Sequence, residues 1–272
     1  MKKVLITDLD DTLYSWIDFF IPSFYAMIDE VHAITGIKKE TLIEEYKQVH
    51  QKYGNVEHPF STLELPSILT QYFNLSKVEI KKVLDEAFHK FNSIRKKTLT
   101  LYPSVYETLE YLFNKGVIII GYTESSLKNG FYRLQKLNIE KFFKHVYVGE
   151  YGGISTSNNK VYAVKEKKPN PLIIEQIASI ENVSKEEIIY VGDSLTKDIY
   201  MAIQAGVTSV WMNPQKEKND YYQKLVDITS WTEEDFKREK KLKESISNNN
   251  LSPDFEISEF SSLVKIIESF ES

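Results

Sequence analysis

Five aliphatic runs, at residues 4–6, 117–120, 146–148, 188–191 and 207–212, punctuate the chain, each bounded by turn residues or charges. Runs that are apolar at every position, instead of alternating, predict strands buried on both faces, as in a parallel sheet covered by helices. Between most of them apolar residues recur at helical spacing. Residues 103–115 carry Tyr106, Leu109, Leu112 and Phe113 and stop at Gly116, and 126–137, 171–179 and 196–205 read the same way. This alternation predicts an α/β fold built on a doubly wound parallel sheet, with ligands in the crevice outside the carboxyl ends of its strands.

Residues 15–98 break the rhythm, because they hold helical patterns and no strand-like run. Segments 18–34 and 38–53 end before Gly36 and Gly54, and 76–96 opens with Ser76 and Glu79 at capping-box spacing. The expected organisation is a catalytic core of 1–14 and 99–272 with a small helical cap, 15–98, inserted as a lid over the strand ends. Trp16, Asp18, Phe19, Phe20 and Tyr25 of the insert are candidates to face a substrate, although aromatics at helical spacing more commonly build a core. Toward the C-terminus, 214–253 is polar, with Ser230 and Glu233 spaced to cap a weak helical pattern, and 258–270 predicts a closing amphipathic helix.

Composition narrows the function classes. A chain of 272 residues with 42% hydrophobic and 27% charged content can bury a full core and a smaller second domain. The net charge of -5 and the interspersed lysines and glutamates leave no basic stripe, so a nucleic acid polymer is not an expected partner. The absence of cysteine rules out disulfides and thiolate chemistry and fits a reducing compartment. Only three apolar residues follow Met1-Lys2-Lys3, too few for a signal sequence, and no apolar stretch approaches a membrane span, so a cytoplasmic protein without a membrane partner is expected.

The chemistry gathers where the strands should end. The first run leads into Asp8-Leu9-Asp10-Asp11-Thr12, the second into Tyr122-Thr123-Glu124, and the fourth into Gly192-Asp193 with Asp198 five residues on; Lys168 stands just before Pro169-Asn170-Pro171, where Asn170 can cap a helix that Pro171 begins. Two like charges about 4 Å apart repel by roughly 4 kcal/mol at an effective dielectric near 20, so clustered carboxylates ask for a cation or a raised pKa. Singly, each element has an ordinary explanation. Thr123 suits any strand end, Lys168 shares a charge run with Lys165 and Lys167, and Asp193 and Asp198 suit a helix start. The five histidines, His32, His50, His58, His89 and His145, show no metal-ligand spacing.

Taken in order, Asp-x-Asp-x-Thr, a strand-terminal Thr, Lys-Pro and Gly-Asp-x4-Asp resemble the four motifs of the haloacid dehalogenase superfamily, here at residues 8–12, Thr123, Lys168 and 192–198. The resemblance implies a Rossmann-like core with a helical C1 cap, a Mg²⁺ cofactor, and phosphatase chemistry on a small phosphomonoester of the nucleotide or sugar phosphate class. It implies Asp8 as nucleophile, Asp10 as general acid and base, Thr123 and Lys168 on the phosphoryl group, and Glu124 beside the substrate where many relatives carry Asn. Asp8, the Asp10 carbonyl and Asp193 would ligate the metal, with Asp198 supporting them. Asp10 argues for phosphoryl transfer over dehalogenation, since a halide leaving group needs no proton. A phosphomutase would use the same residues, and a non-catalytic phospho-accepting or binding protein is the reading from another class; a receiver module is shorter and lacks the insert.

Overall fold

The computed structural model describes residues 2–150, 160–214, 220–249 and 251–270. In chain order, β1 (Val4–Thr7) is followed by α1 (Trp16–Thr35), α2 (Lys39–Tyr53), α3 (Pro66–Gln71), α4 (Lys77–Val83) and α5 (Asp85–Thr98). Then come α6 (Val105–Asn114), β2 (Ile118–Ser126), α7 (Leu127–Lys136), β3 (Phe143–Gly149), β4 (Val161–Val164), α8 (Pro171–Glu181) and β5 (Ile188–Gly192). The chain continues through α9 (Tyr200–Ala205), β6 (Thr208–Met212), α10 (Tyr221–Asp227), α11 (Glu233–Asn248), β7 (Phe255–Ile257) and α12 (Ser262–Glu268). Two compact units result: Met1–Ser15, Thr100–Lys216 and Lys241–Ser272 form the first, and Trp16–Leu99 with Glu217–Lys240 form the second. The sequence boundaries keep 217–240 with the sheet; in the structure that stretch belongs with the helices. Residues 215–219 and 250 of the polar segment, and 151–159 of the stretch between Glu124 and Lys167, lie outside the described residues.

The first unit is an α/β fold around a seven-stranded sheet, ordered β4-β3-β2-β1-β5-β6-β7. Every pairing is parallel, so all carboxyl ends share one edge. The strand order reverses at β1, between β2 and β5, and such a switch point opens a crevice for ligands. All residues of β1 and β5 are buried. On one face Val4, Ile6, Ile120 and Tyr190 pack with Ile173, Ile174 and Ile177 of α8 and Met201 of α9, each large side chain contributing about 1.5–3 kcal/mol by leaving water.

The two edge strands, β4 and β7, have no counterpart among the five aliphatic runs. Only the outer residues of β4 and the last of β7 are buried, so neither has the unbroken apolar run that marks the central strands. The predicted helix 76–96 breaks at Leu84, which is fully buried with a non-helical backbone, and Asp85 and Glu86 supply the acidic first turn of α5. Ser76 and Glu79 do form a reciprocal capping box. The start of α11 is capped by Thr232 and Asp235 in place of Ser230 and Glu233: the Thr232 N–H and hydroxyl donate to Asp235 Oδ2, and the Asp235 N–H donates back to Thr232 Oγ1.

The second unit has an aromatic core. Phe19 and Phe20 are buried, Trp16 stacks on Phe20 at 4.5 Å, and Phe24 meets Tyr46 edge-on at 4.8 Å. Three polar contacts bind the 217–240 stretch to it: Tyr25 OH donates to Lys224 O, Gln51 Nε2 to Trp231 O, and His50 Nδ1 meets Ile228 O at 2.7 Å. A carbonyl partner requires Nδ1 to carry the proton, leaving Nε2 without one in the neutral ring. Burial pushes the His50 pKa down to about 4 against the opposing pull of the Ile228 carbonyl, with His58 adding a smaller push down.

His50 therefore stays neutral in the folded chain while the unfolded chain takes up a proton near the ordinary value of about 6.5. Its contribution is fully present above that pH and is lost as pH falls toward its folded pKa of about 4. At about 1.36 kcal/mol per unit, the loss amounts to ~3 kcal/mol at most. Urea unfolding at stepped pH should show this slope in the native chain and a flatter one in His50→Gln; equal slopes would assign the acid sensitivity elsewhere.

Candidate active site

Sheet register sets the site. Thr7 pairs with Gly121 of β2 on one side and with Val191 of β5 on the other, so Asp8, Tyr122 and Gly192 follow side by side across three adjacent strands. The Asp8 N–H donates to Val191 O at 2.9 Å, extending the ladder one step and fixing the carboxylate at the sheet edge. A tight turn then reverses the chain, with Asp11 in the left-handed region (φ 61°) and its N–H donating to Tyr14 O. Asp tolerates that conformation better than most residues.

Asp8, Asp193 and Asp198 converge, one carboxylate oxygen of each lying within 4.8 Å of the others. Lys168 joins them: its Nζ donates to Asp8 Oδ1 at 2.5 Å and to Asp198 Oδ1 at 2.7 Å. With only 3% of its surface exposed, Lys168 is not part of a solvated charge run. Asp8 is also held by Thr12 Oγ1, which donates to Oδ2 at 3.1 Å. Asp198 also accepts from Tyr190 OH at 2.8 Å and from the Ser194 N–H at 3.2 Å.

The local backbone is shaped for this. Residues 195–199 form a π turn in which the N–H groups of Asp198 and Ile199 both reach Ser194 O, turning Asp198 back toward β5. Only glycine fits at 192, since a Cβ there would stand 2.4 Å from Asp198 Cγ. Asn170 takes the N-cap position of α8, with Pro171 in the first turn, but makes no side-chain capping bond.

Charge counting shows what the cluster lacks. Burial pushes the Asp8 carboxyl well above the usual carboxylate range; Lys168 opposes the shift, while Asp198, Asp193 and Asp10 add to it. Burial also works against the Lys168 ammonium, yet Asp198 and Asp8 outweigh it and hold its pKa above the ordinary value. Lys168 thus serves both Asp8 and Asp198, and with Asp193 converging on them an oxygen-seeking cation fits the donor set.

Asp10 occupies a neighbouring position. Its Oδ2 accepts from Thr123 Oγ1 at 3.0 Å and Ser125 Oγ at 2.8 Å, and its Oδ1 from Arg133 Nη1 at 2.7 Å. Burial, reinforced by the negative charge of Asp10, pushes the pKa of the Tyr14 hydroxyl up. The Glu124 carboxylate accepts from the Lys168 N–H at 3.1 Å and from Lys197 Nζ at 2.5 Å, so it ties β2 to the segment that carries Lys168.

Residues 5–212 match the profile of the haloacid dehalogenase-like hydrolases. This chain belongs to that family. Among the hydrolases it is similar to, a glyceraldehyde 3-phosphate phosphatase of Methanopyrus kandleri is 29% identical over 219 residues, covering 77% of this chain and 83% of the relative. A phosphoglycolate phosphatase of Vibrio parahaemolyticus is 29% identical over 208 residues, 76% of this chain and 82% of that one. The crystal structure of a 2-haloacid dehalogenase from Pseudomonas syringae superposes with a TM-score of 0.57 at 19% identity, covering 99% of this chain and 100% of the other, a likeness of fold.

Within this hydrolase the structure brings Asp8, Asp193, Asp198 and Lys168 into one cluster and sets Asp10 and Thr123 beside it. Sequence reasoning missed Ser125, Tyr190 and Arg133. Arg133 did leave a signal: with Gly130 and Leu134 it lies at helical spacing on the buried face of α7, a charge where an apolar residue is expected. No helix among the described residues is long and apolar enough to cross a membrane.

Proposed function

We propose that this hydrolase is a Mg²⁺-dependent phosphatase that removes phosphate from a small phosphomonoester through an aspartyl-phosphate on Asp8. The observation that carries this reading is the buried Asp8 carboxylate held between Lys168 and the Asp193–Asp198 pair, at the mouth of the sheet's switch point. Asp8, Asp193 and the Asp10 carbonyl would hold Mg²⁺, with Asp198 anchoring Lys168 beside them. Mg²⁺, when bound, supplies positive charge that lets a dianionic ester approach a carboxylate.

The remaining steps belong to the chain. An oxygen of Asp8 attacks phosphorus as the ester oxygen departs, splitting one difficult displacement into two. Asp10, entering protonated, delivers its proton to the departing alkoxide and then takes one from the water that cleaves the aspartyl-phosphate, which returns Asp8 to its carboxylate and Asp10 to its acid form. Lys168 compensates the phosphoryl charge from its fixed place against Asp8. Thr123 Oγ1, now donated to Asp10, is the hydroxyl within reach of a phosphate oxygen.

The names of the relatives direct the choice of substrate toward short phosphorylated metabolites such as glyceraldehyde 3-phosphate and 2-phosphoglycolate. Phosphate release from both, and from p-nitrophenyl phosphate, should require Mg²⁺ and stop in EDTA. Free phosphate distinguishes hydrolysis from a mutase, which returns the group to its product. Metal-independent release, or none from any compound, would reject the reading.

A further inference from the structure

Arg133 is a buried cation with no place in the chemistry described above. Its side chain is 2% exposed and that of Asp10 20%, so the arginine is sealed away while the acid keeps an open side. Arg133 Nη1 donates to Asp10 Oδ1 at 2.7 Å and to Ser125 Oγ at 2.9 Å; Ser125 Oγ in turn donates to Asp10 Oδ2 at 2.8 Å. Thr123 Oγ1 donates to the same oxygen, while accepting from the Ser125 N–H at 3.0 Å. Both carboxylate oxygens are thus gripped, and the rotation that would re-aim the acid is blocked.

Helix packing does not account for the arginine. Burying a guanidinium costs several kcal/mol, and a hydrophobic residue of similar volume commonly serves stability as well or better. The backbone is arranged around it. One turn earlier, Gly130 lets α7 lie directly on the end of β2: a Cβ there would stand 3.1 Å from Thr123 Cγ2. That approach brings Arg133 to the rear of Asp10.

We propose that Arg133 is a positioning residue for Asp10, a fixed cation that, with Ser125, holds the proton-transferring carboxylate in a single orientation toward the leaving group. The inference rests on the phosphatase reading. Arg133 acts through Asp10 and does not meet the substrate. Its role therefore shows in reactions whose leaving group needs a proton. An alkoxide does; p-nitrophenolate leaves readily without one.

The test compares kcat/KM for an alkyl phosphate, 2-phosphoglycolate or glyceraldehyde 3-phosphate, with kcat/KM for p-nitrophenyl phosphate in native protein, Arg133→Met, Arg133→Lys and Ser125→Ala. In Arg133→Met the alkyl-to-aryl ratio should fall about 10- to 100-fold, the scale of a misplaced catalytic group, and Arg133→Lys should recover part of it. Ser125→Ala, which removes the hydroxyl that donates to Asp10 and accepts from Arg133 at a partly buried position, should lower the ratio about three- to tenfold; it carries the test if Arg133→Met does not fold. Equal losses on both substrates, or an unchanged ratio, would show a structural role and overturn the proposal. Native protein inactive on every ester would overturn the phosphatase reading and this inference with it.

Discussion

Asp8→Asn is expected to release no measurable phosphate from any ester, a loss of at least about 10⁴-fold, because an amide cannot serve as the nucleophile and no other group takes its place. The same change should make the metal-free protein harder to unfold at neutral pH. Burial, reinforced by Asp198, Asp193 and Asp10 against the pull of Lys168, raises the Asp8 pKa in the folded state. A carboxyl with a raised folded pKa contributes stability that is present below its unfolded value near 3.9 and is lost as pH rises through the folded one. As pH rises from that unfolded value the native chain loses this contribution, whereas an amide has nothing to lose. Lys168 keeps its bond to Asp198 at 2.7 Å, so no cation is stranded. Thermal unfolding in EDTA should place Asp8→Asn above native protein at pH 7, with the gap closing in acid. A variant that unfolds earlier at pH 7 would mean that Asp8 is stabilising even without a metal.

Lys168→Met is expected to do the opposite to stability and the same to activity. Removing one partner of a buried ion pair commonly costs about 3–5 kcal/mol, because a buried charge is left uncompensated. Here two carboxylates lose their common donor, along with a cation seated 4.8 Å from the Tyr122 ring centre and 5.8 Å from that of Tyr190. Turnover should fall at least about 10²-fold through lost charge compensation at the phosphoryl group. Excess Mg²⁺ should restore part of the stability and little of the activity. If metal-free Lys168→Met unfolds at the native temperature, the ammonium is not the counter-charge that keeps Asp8 and Asp198 together.

What the sequence revealed follows burial. The central strands, apolar at every position, stood out as unbroken runs, and the acids and glycine at their ends were visible because charge seldom follows such runs. β4 and β7 carry half the burial and none of the pattern. Lys168 shares a charge run with Lys165 and Lys167, and only its place before Pro169-Asn170-Pro171 and in the motif order marks it; its burial depends on contacts distant in sequence, such as the Glu124 carboxylate that accepts from its N–H. The transfer of 217–240 to the helical unit depends on backbone carbonyls at Lys224, Ile228 and Trp231 receiving Tyr25, His50 and Gln51, and backbone acceptors leave no trace in residue identity. Arg133 was the opposite case: the letter was informative, but its meaning depended on Asp10 lying across a loop from it.

The edges of the sheet have a consequence for the chain in crowded solution. An outermost strand is where a foreign or partly unfolded chain can add itself by backbone pairing, and long, flat, apolar edges invite it. Here the sheet ends in strands of four and three residues, β4 and β7, the first with Tyr162 and Ala163 exposed and the second with Glu256 exposed at its centre. They offer few rungs to an incoming strand. The seven-stranded sheet is thereby guarded against runaway association at the two places where it stops.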